Sequence, residues 1–421
     1  MALIGLGAGV LGAAGFFGLS SLTAIDNVKT EIAVFKPLDV DFCKRVLKNC
    51  FYQNYISPYS RSVVFDSRTL LAKPDNGLGR LDQYFGAFFL SPYQALVVIG
   101  DVPPCRYWSF IPYLWRKGIP VVKDGEELPL GDISFSSLND GFSNFTYPGV
   151  TKIAVVMTRN QQVFAAEQRR INSVNSEITV IPLWVTEEAL IEAPLTYLFR
   201  TAFFIGDTLE SFLANPGFLS YRSTYGVIGY SGVRAVYPDS LDQKVPLGTL
   251  ALFQTPHPLE PSELPLEFQF KKYITEILAK YKVVRHIPTY PFLEKELGFP
   301  YENGQQCRDA DINCLGDNVG TIYINSDPFE LNANERTLMI AVNHSTTGRA
   351  FYSSINLYDD VVKTGIDGAL PDPGTLFYDH VFQDFASGTY RTIERSYIQL
   401  PQNTAPNVKT ILLGQTYIIR V

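Results

Sequence analysis

The side chains able to do chemistry are few and scattered. There are four histidines, His257, His286, His344 and His380. None stands in H-x-H, H-E-x-x-H or H-x3–5-H spacing, so no local zinc motif is present. His344 follows Asn343 at the end of the apolar run LMIAV and is the histidine best placed for a site. The plainer reading is a turn histidine bonded to backbone. Arg106 precedes Tyr107 and Trp108, with Tyr113 further along the same segment. A planar guanidinium among aromatic faces can hold a ligand by cation–π contact and a fork of donors. Arg106, Trp108, Tyr113 and His344 are therefore the candidate ligand-binding residues. The competing reading is an aromatic core strand with one rim arginine.

Asp309, Asp311, Asn313 and Asp317 form D-x-D-x-N-x3-D around Gly316. Alternating oxygen ligands with a turn glycine suit a hard cation, and calcium is the one candidate cofactor. The glycine is not at the sixth position and no glutamate closes the loop, so a solvated loop is the alternative. Gly7-Ala-Gly9-Val-Leu-Gly12 matches G-x-G-x-x-G, but only Met1–Ile4 precedes it where the fingerprint needs a strand. Asp359/Asp360 and Glu187/Glu188 are adjacent pairs that point different ways, which argues against an acid–base dyad. No G-x-S-x-G elbow and no C-x-x-C pair occurs. An oxidoreductase using Gly7–Gly12 ranks last, and a non-catalytic protein is favoured over an enzyme.

Five cysteines are present. Cys307 and Cys314 bracket a polar loop able to bring their Cα atoms within ~6 Å, so a disulfide is expected there. Cys43 and Cys50 lie on a predicted helix from Val40 to Phe51, capped by Asp39. Seven residues of helix span ~10.5 Å, too far for a bond. One of them pairing with Cys105, or all three acting as small buried hydrophobes, are the open alternatives.

These groups must be positioned by mostly extended chain. Strands are expected at Glu31–Phe35, Ser62–Phe65, Tyr84–Leu90, Leu96–Gly100 and Tyr107–Tyr113, between Pro/Gly/Asp turns. Lys152–Thr158, a helix over Gln161–Ile171 and Ile178–Val185 read as strand–helix–strand. The apolar run Thr186–Ile205 reads as helix interrupted at Pro194, and 206–260 as loop-rich, with Gly226, Gly229 and Gly232 among tyrosines. Leu266–Tyr281 is the clearest amphipathic helix, with Leu266, Phe270, Tyr273, Ile274, Ile277, Leu278 and Tyr281 on one face. Glu267/Lys271 and Glu276/Lys280 are i,i+4 pairs on it. From Thr321 the chain is again β-rich, ending in a strand within Thr410–Val421.

Charged residues are 18%, below the ~25% of ordinary soluble domains, and aromatics reach 13%. The net charge is −7 and no basic stretch interleaves with aromatics, which excludes nucleic acid as the expected partner. Residues 2–25 carry no ionisable side chain. That is long enough to cross a hydrocarbon core, and Gly5, Gly9 and Gly12 give a small-residue face for helix packing. The basic n-region of a cleavable signal is missing, so a permanent anchor is expected. Two sequons, Asn144-Phe-Thr and Asn343-His-Ser, fit an exported chain with glycans.

An internal echo links the two halves. Residues 84–113 and 323–358 both run strand, loop, apolar strand, turn, then an aromatic strand. Tyr107-Trp108-Ser109-x-Ile111 matches Phe351-Tyr352-Ser353-x-Ile355, and each closes on tyrosine, Tyr113 or Tyr358.

Residues 82–113 carry D-x-Y, where the pattern has D-x-x-Y, then an apolar strand, G-x-x-P and R-Y-[WF]-S-F-x-x-Y. The residues are Asp82, Tyr84, Gly100, Pro103, Arg106, Tyr107, Trp108, Ser109, Phe110 and Tyr113. This resembles a family of exported β-sandwich proteins of unknown function. The resemblance implies a jelly-roll-like fold and export, and transfers no catalytic centre.

The sequence thus predicts an α+β, β-rich chain of jelly-roll-like sandwich units with inserted helices. An anchor helix over 1–25 comes first, then β-rich domains over 26–205 and 206–421. The expected role is a membrane-anchored structural or binding subunit of a larger assembly, such as a virion, a membrane supercomplex or a surface filament. It would face the extracytoplasmic or lumenal side, with the membrane and neighbouring subunits as partners. The alternative is an exported enzyme or small-ligand binder with a pocket near Arg106, Trp108 and His344.

Overall fold

The computed structural model describes residues 28–38, 44, 59–64, 88–91, 93–115, 135–137, 142–143, 147, 149–185, 195–205, 208–225, 262–292, 321–382, 388–397 and 410–420. Of these residues 56% are strand and 17% helix. The expected anchor with Gly5, Gly9 and Gly12, the helix over 40–51 (apart from Lys44), Asn144, Cys307, Cys314 and the Asp309–Asp317 loop lie outside the described residues. Among the described residues no helix is long and apolar enough to cross a membrane.

The first unit contains β1 (Val28–Pro37), β2 (Tyr59–Val64), β3 (Gln94–Asp101), β4 (Cys105–Trp115), β5 (Phe135–Ser137), β6 (Phe142–Ser143), β7 (Lys152–Thr158), β8 (Thr179–Trp184), β9 (Leu195–Phe204) and β10 (Leu219–Tyr225). They form one sheet of order β5-β4-β9-β2-β1-β10-β3-β7-β8, with β6 beside β4. Its two arms face each other across a core that includes Leu96, Val98, Trp108, Phe110, Val155, Tyr197 and Phe199.

The second unit contains β11 (Lys282–Ile287), β12 (Thr289–Pro291), β13 (Thr321–Ser326), β14 (Phe329–Glu330), β15 (Glu335–Val342), β16 (Tyr352–Asp359), β17 (Thr364–Ala369), β18 (Phe377–Phe382), β19 (Thr389–Tyr397) and β20 (Gln415–Arg420). Here the arms are separate sheets, β11-β20-β15-β18 and β12-β13-β19-β16-β17. Met339, Ala341 and Ile418 from one meet Ile355, Leu357 and Tyr390 from the other.

The pairings repeat strand for strand. In the first unit β10 lies between β1 and β3, β3 reaches β7, β9 lies between β2 and β4, and β4 reaches β5. In the second, β20 lies between β11 and β15, β15 reaches β18, β19 lies between β13 and β16, and β16 reaches β17. The echo in the sequence therefore marks two equivalent β units, with a corrected register. Arg200 stands opposite Ser109 and Tyr59, and Arg395 opposite Ser354 and Tyr323. Tyr107 thus corresponds to Tyr352, one residue away from its match by sequence, while the closing tyrosines Tyr113 and Tyr358 correspond as matched. On a strand that one step exchanges the two faces.

Each unit covers the outer face of one arm with a helix. Helix α1 (Gln161–Val174) starts at Asn160, whose side chain accepts from the Gln162 and Val163 amides at 2.8 and 3.3 Å. It joins β7 to the parallel strand β8, as the strand–helix–strand reading expects. Val163 and Ile171 pack on Ala95, Val97, Ala154 and Val156, the faces of β3 and β7 turned away from the sandwich core. Such two-sided burial explains the continuous apolar run KIAVVMT. In the second unit the cover is a helix from a different place in the order of elements. The short helix α2 (Thr208–Ala214) precedes β10, and α3 (Glu267–Leu278) precedes β11. Phe270 and Ile277 of α3 sit on Leu338, Ile340, Val342 and Ile419. Lys271 pairs with Glu267 as expected (2.6 Å), and Lys272 lies 3.8 Å from Glu276.

Two expectations change. The run read as helix over 186–205 is strand from Leu195 to Phe204. Tyr197 and Phe199 enter the core while Leu198, Arg200 and Ala202 face the other way, and both faces are buried. Burial on two sides erases the alternation that would have marked a strand. The span 206–260 is not all loop: α2 places Phe212 at 5.3 Å from Phe204 and 6.2 Å from Phe199, and β10 follows. Because β10 pairs with β1 and β3, the first unit continues past the 205/206 boundary to Tyr225.

Candidate functional site

The four candidate ligand residues occupy different surroundings. Arg106 is exposed at the start of β4. Trp108 is 2% exposed in the first core, edge-on to Phe110 at 6.3 Å. Tyr113 faces away from that core and receives a hydrogen bond from Arg200 Nη2. His344 belongs to the second unit. Cys105 is a free thiol, and burial pushes it up to about 12, so it is inert.

His344 is the centre of a sealed cluster. It follows β15 in a turn that Asn343 ties together: the Asn343 amide donates to Thr346 Oγ1 at 2.9 Å and Thr375 O at 2.9 Å. Asn343 is 1% exposed, so a glycan at this sequon would require the turn to open. The His344 Nδ1 lies 2.7 Å from Glu263 Oε1, just ahead of α3, and Nε2 lies 2.9 Å from Glu394 Oε1 on β19. The second contact is an ion pair without good hydrogen-bond alignment. The remaining carboxylate oxygens are also engaged. Thr347 Oγ1 and the Leu412 amide donate to Glu263 at 2.6 and 3.0 Å, and the Gly414 amide donates to Glu394 at 2.9 Å.

Desolvation pulls His344 down, but the Glu394 charge and the Glu263 hydrogen bond outweigh it, raising its pKa to about 10. Desolvation likewise opposes ionisation of Glu263, and its bonds to His344, Thr347 and Leu412 overcome it, holding its pKa below the usual range. The imidazolium lies between two carboxylates, each engaging a different ring nitrogen. The donors do not converge on one point, as a metal at ~2.0–2.2 Å from each ligand would need. The arrangement ties four stretches of the second unit together. Gly414 is part of the tie: a Cβ there would come 2.6 Å from Glu394 Oε2 and 3.0 Å from Met339 Cε. Gly414→Ala is expected to lower stability by ~1–3 kcal/mol, read as a shift in urea midpoint at unchanged slope.

The first unit has its own sealed network. Arg170 Nη1 lies 2.8 Å from Glu167 Oε1 with both side chains buried, and Tyr221 and Tyr225 donate to Glu167 at 3.0 and 2.6 Å. It fastens α1 to β10.

A third polar layer lies between the units, where the outward faces of β2, β4 and β9 meet those of β13, β16 and β19. The ring of Tyr397 stacks on Tyr107 and on Tyr352, each at 4.6 Å. Arg395 Nη1 donates to Tyr59 Oη at 2.8 Å. Arg200 sits over Tyr59 and Tyr113 at 4.9 and 5.4 Å, and Arg395 over Tyr323 and Tyr358 at 5.1 and 5.3 Å. The two arginines are equivalent by the repeat, and each brings an equivalent pair of tyrosines. Sequence reasoning singled out His344 and Tyr113 but missed Glu263, Glu394, Arg200 and Arg395. The lone cation inside the apolar segment LTYLFRTAFF was the available signal for Arg200; Arg395 shares TYRTIERSY with Arg391 and Glu394 and carried no such signal.

No protein-family model matches the chain, and no curated protein matches it. Two solved structures are similar. An uncharacterized protein from Burkholderia cenocepacia matches at a TM-score of 0.37 and 11% identity, over 88% of this chain and 78% of that one. The VPA0106 protein from Vibrio parahaemolyticus matches at a TM-score of 0.38 and 12% identity, over 88% and 90%.

Proposed function

We propose that the protein is a non-catalytic structural or binding subunit of a larger assembly. Residues 1–25 hold it to a membrane, with the β units on the extracytoplasmic or lumenal side as jelly-roll-like sandwiches of the exported family that residues 82–113 resemble. The carrying observation is the sealed Glu263–His344–Glu394 cluster, whose side chains are 0–1% exposed. Its groups are spent on fastening chain segments together, which suits a rigid body that works through its surface. Membrane sedimentation followed by native mass measurement of the detergent-extracted full chain tests this reading. Resistance to alkaline carbonate extraction and a particle heavier than one chain are expected. A monomer released by carbonate would overturn it.

A further inference from the structure

The edge of the second unit at β11 is open and basic. In the four-stranded sheet β11 is a terminal strand, with β20 on one side and no described strand on the other. Lys282, Val283, Val284, Arg285 and His286 are all exposed, and Ile287 alone enters the core. A strand covered on its faces and its outer edge would not show five exposed residues in succession. Val283 and Val284 are each 40% exposed. Such an edge turns a row of N–H and C=O groups outward, where another extended chain can pair with them.

The side chains around it are mostly cations. Lys280 stands in the turn before β11, Arg420 lies opposite Lys282 on β20, and Arg336 lies opposite Ile419 on β15. Arg285 donates to the carbonyl of Glu330. Among the described residues Lys280, Lys282, Arg285 and Arg420 form no ion pair. The carboxylates beside them are Glu330 and Glu335, and Glu335 is 4% exposed, accepting from the Asn332 amide and side chain at 3.0 Å each. The edge thus holds an excess of positive charge on a chain whose net charge is −7. Pairing this edge with its copy in a second molecule would set Lys282 and Arg285 against like charges, which is unfavourable. Basic side chains and the bulge between Val283 and Arg285 also discourage indiscriminate pairing, which leaves an acidic strand as the partner they admit.

We propose that the free edge of β11 receives an extended acidic segment of a neighbouring protein, which adds to the sheet as its next strand. Backbone bonds along Lys282–His286 supply affinity, Val283 and Val284 supply apolar contact, and Lys282, Arg285 and Arg420 select acidic side chains. The proposal rests on the reading of the protein as a subunit of an assembly and gives the chemistry of one partner.

The test is fluorescence anisotropy of a short labelled peptide of alternating glutamate and valine, titrated with the full chain in detergent. Saturable binding is expected, weakening as salt is raised. The lysine–valine counterpart should not bind. A glutamate–valine peptide methylated at every second backbone nitrogen keeps its charge but cannot donate along the edge, so its binding should fall severalfold or more. Lys282→Glu, at an exposed position, should weaken binding of the unmethylated peptide severalfold. Should that variant fail to fold, the methylated peptide still decides. No binding of the glutamate–valine peptide, or equal binding of its methylated form, overturns the proposal. Attachment to phosphatidylserine vesicles that Lys282→Glu abolishes, without peptide binding, overturns it in favour of a lipid contact. Peptide binding is read on the extracted chain and does not depend on carbonate resistance, so the two readings can fail separately.

Discussion

Glu394→Leu is expected to destabilise the protein by ~3–5 kcal/mol, the cost of breaking a buried ion pair by removing one partner. It leaves the His344 imidazolium with one carboxylate instead of two and orphans the Gly414 amide. Replacing Glu263, His344 and Glu394 together by apolar residues of similar volume is expected to cost far less, because no charge is then stranded. Urea unfolding of the single and triple variants checks both statements. The same cluster sets a pH dependence. His344 titrates at about 10 when folded, against an ordinary 6.5. Its contribution is therefore complete below about pH 6.5 and is lost as pH rises from there through 10, at up to ~1.4 kcal/mol per unit. Glu263 is shifted down from its ordinary 4.5, so its contribution is present above that value and lost as pH falls below it. Urea midpoints should decline above pH 6.5 in the wild type, and His344→Leu should flatten that decline.

Trp108→Ala is expected to cost ~3–5 kcal/mol, because it removes a large side chain from a packed core and the cavity closes only partly. Trp108 is buried among Phe110, Phe199, Leu96 and Val98. The outcome separates the two readings of the aromatic strand. A core tryptophan gives a large loss of stability, measurable by urea midpoint, whereas a pocket tryptophan gives a small one. Arg106→Ala, at an exposed position of the same strand, should stay within ~0.5 kcal/mol of wild type.

The sequence was legible where one local period decides. The helix at Gln161 and its Asn160 cap, the amphipathic face of Leu266–Tyr281 and the run Lys152–Thr158 all emerged where their patterns placed them. Leu195–Phe204 was misread because one face lies in the first core and the other against the second unit. The pattern there carries hydrophobicity without alternation. The internal echo was detectable in β4 and β16 yet out by one residue. Similar aromatics occur on both faces of those strands, and only cross-strand partners such as Ser109–Arg200 and Ser354–Arg395 fix the register. His344 could be singled out as the end of an apolar run. Its carboxylates are Glu263 and Glu394, one before α3 and one on β19, and no local spacing links them. The paired arginines belong to different halves, so their meeting follows only from how the two units stack.

The pairing of Val28 with Tyr225 has a consequence in time. A chain emerging from the ribosome cannot form β1 against β10 before residue 225 exists, and such long-range closures are intrinsically slow. Before then the pairings of β3 with β7, β7 with β8 and β4 with β9 are already available. The layer between the units must wait longer still, until Arg395 is made. Synthesis therefore imposes an order on the molecule: the first sandwich can close before the second, whose β20, between β11 and β15, is made later still.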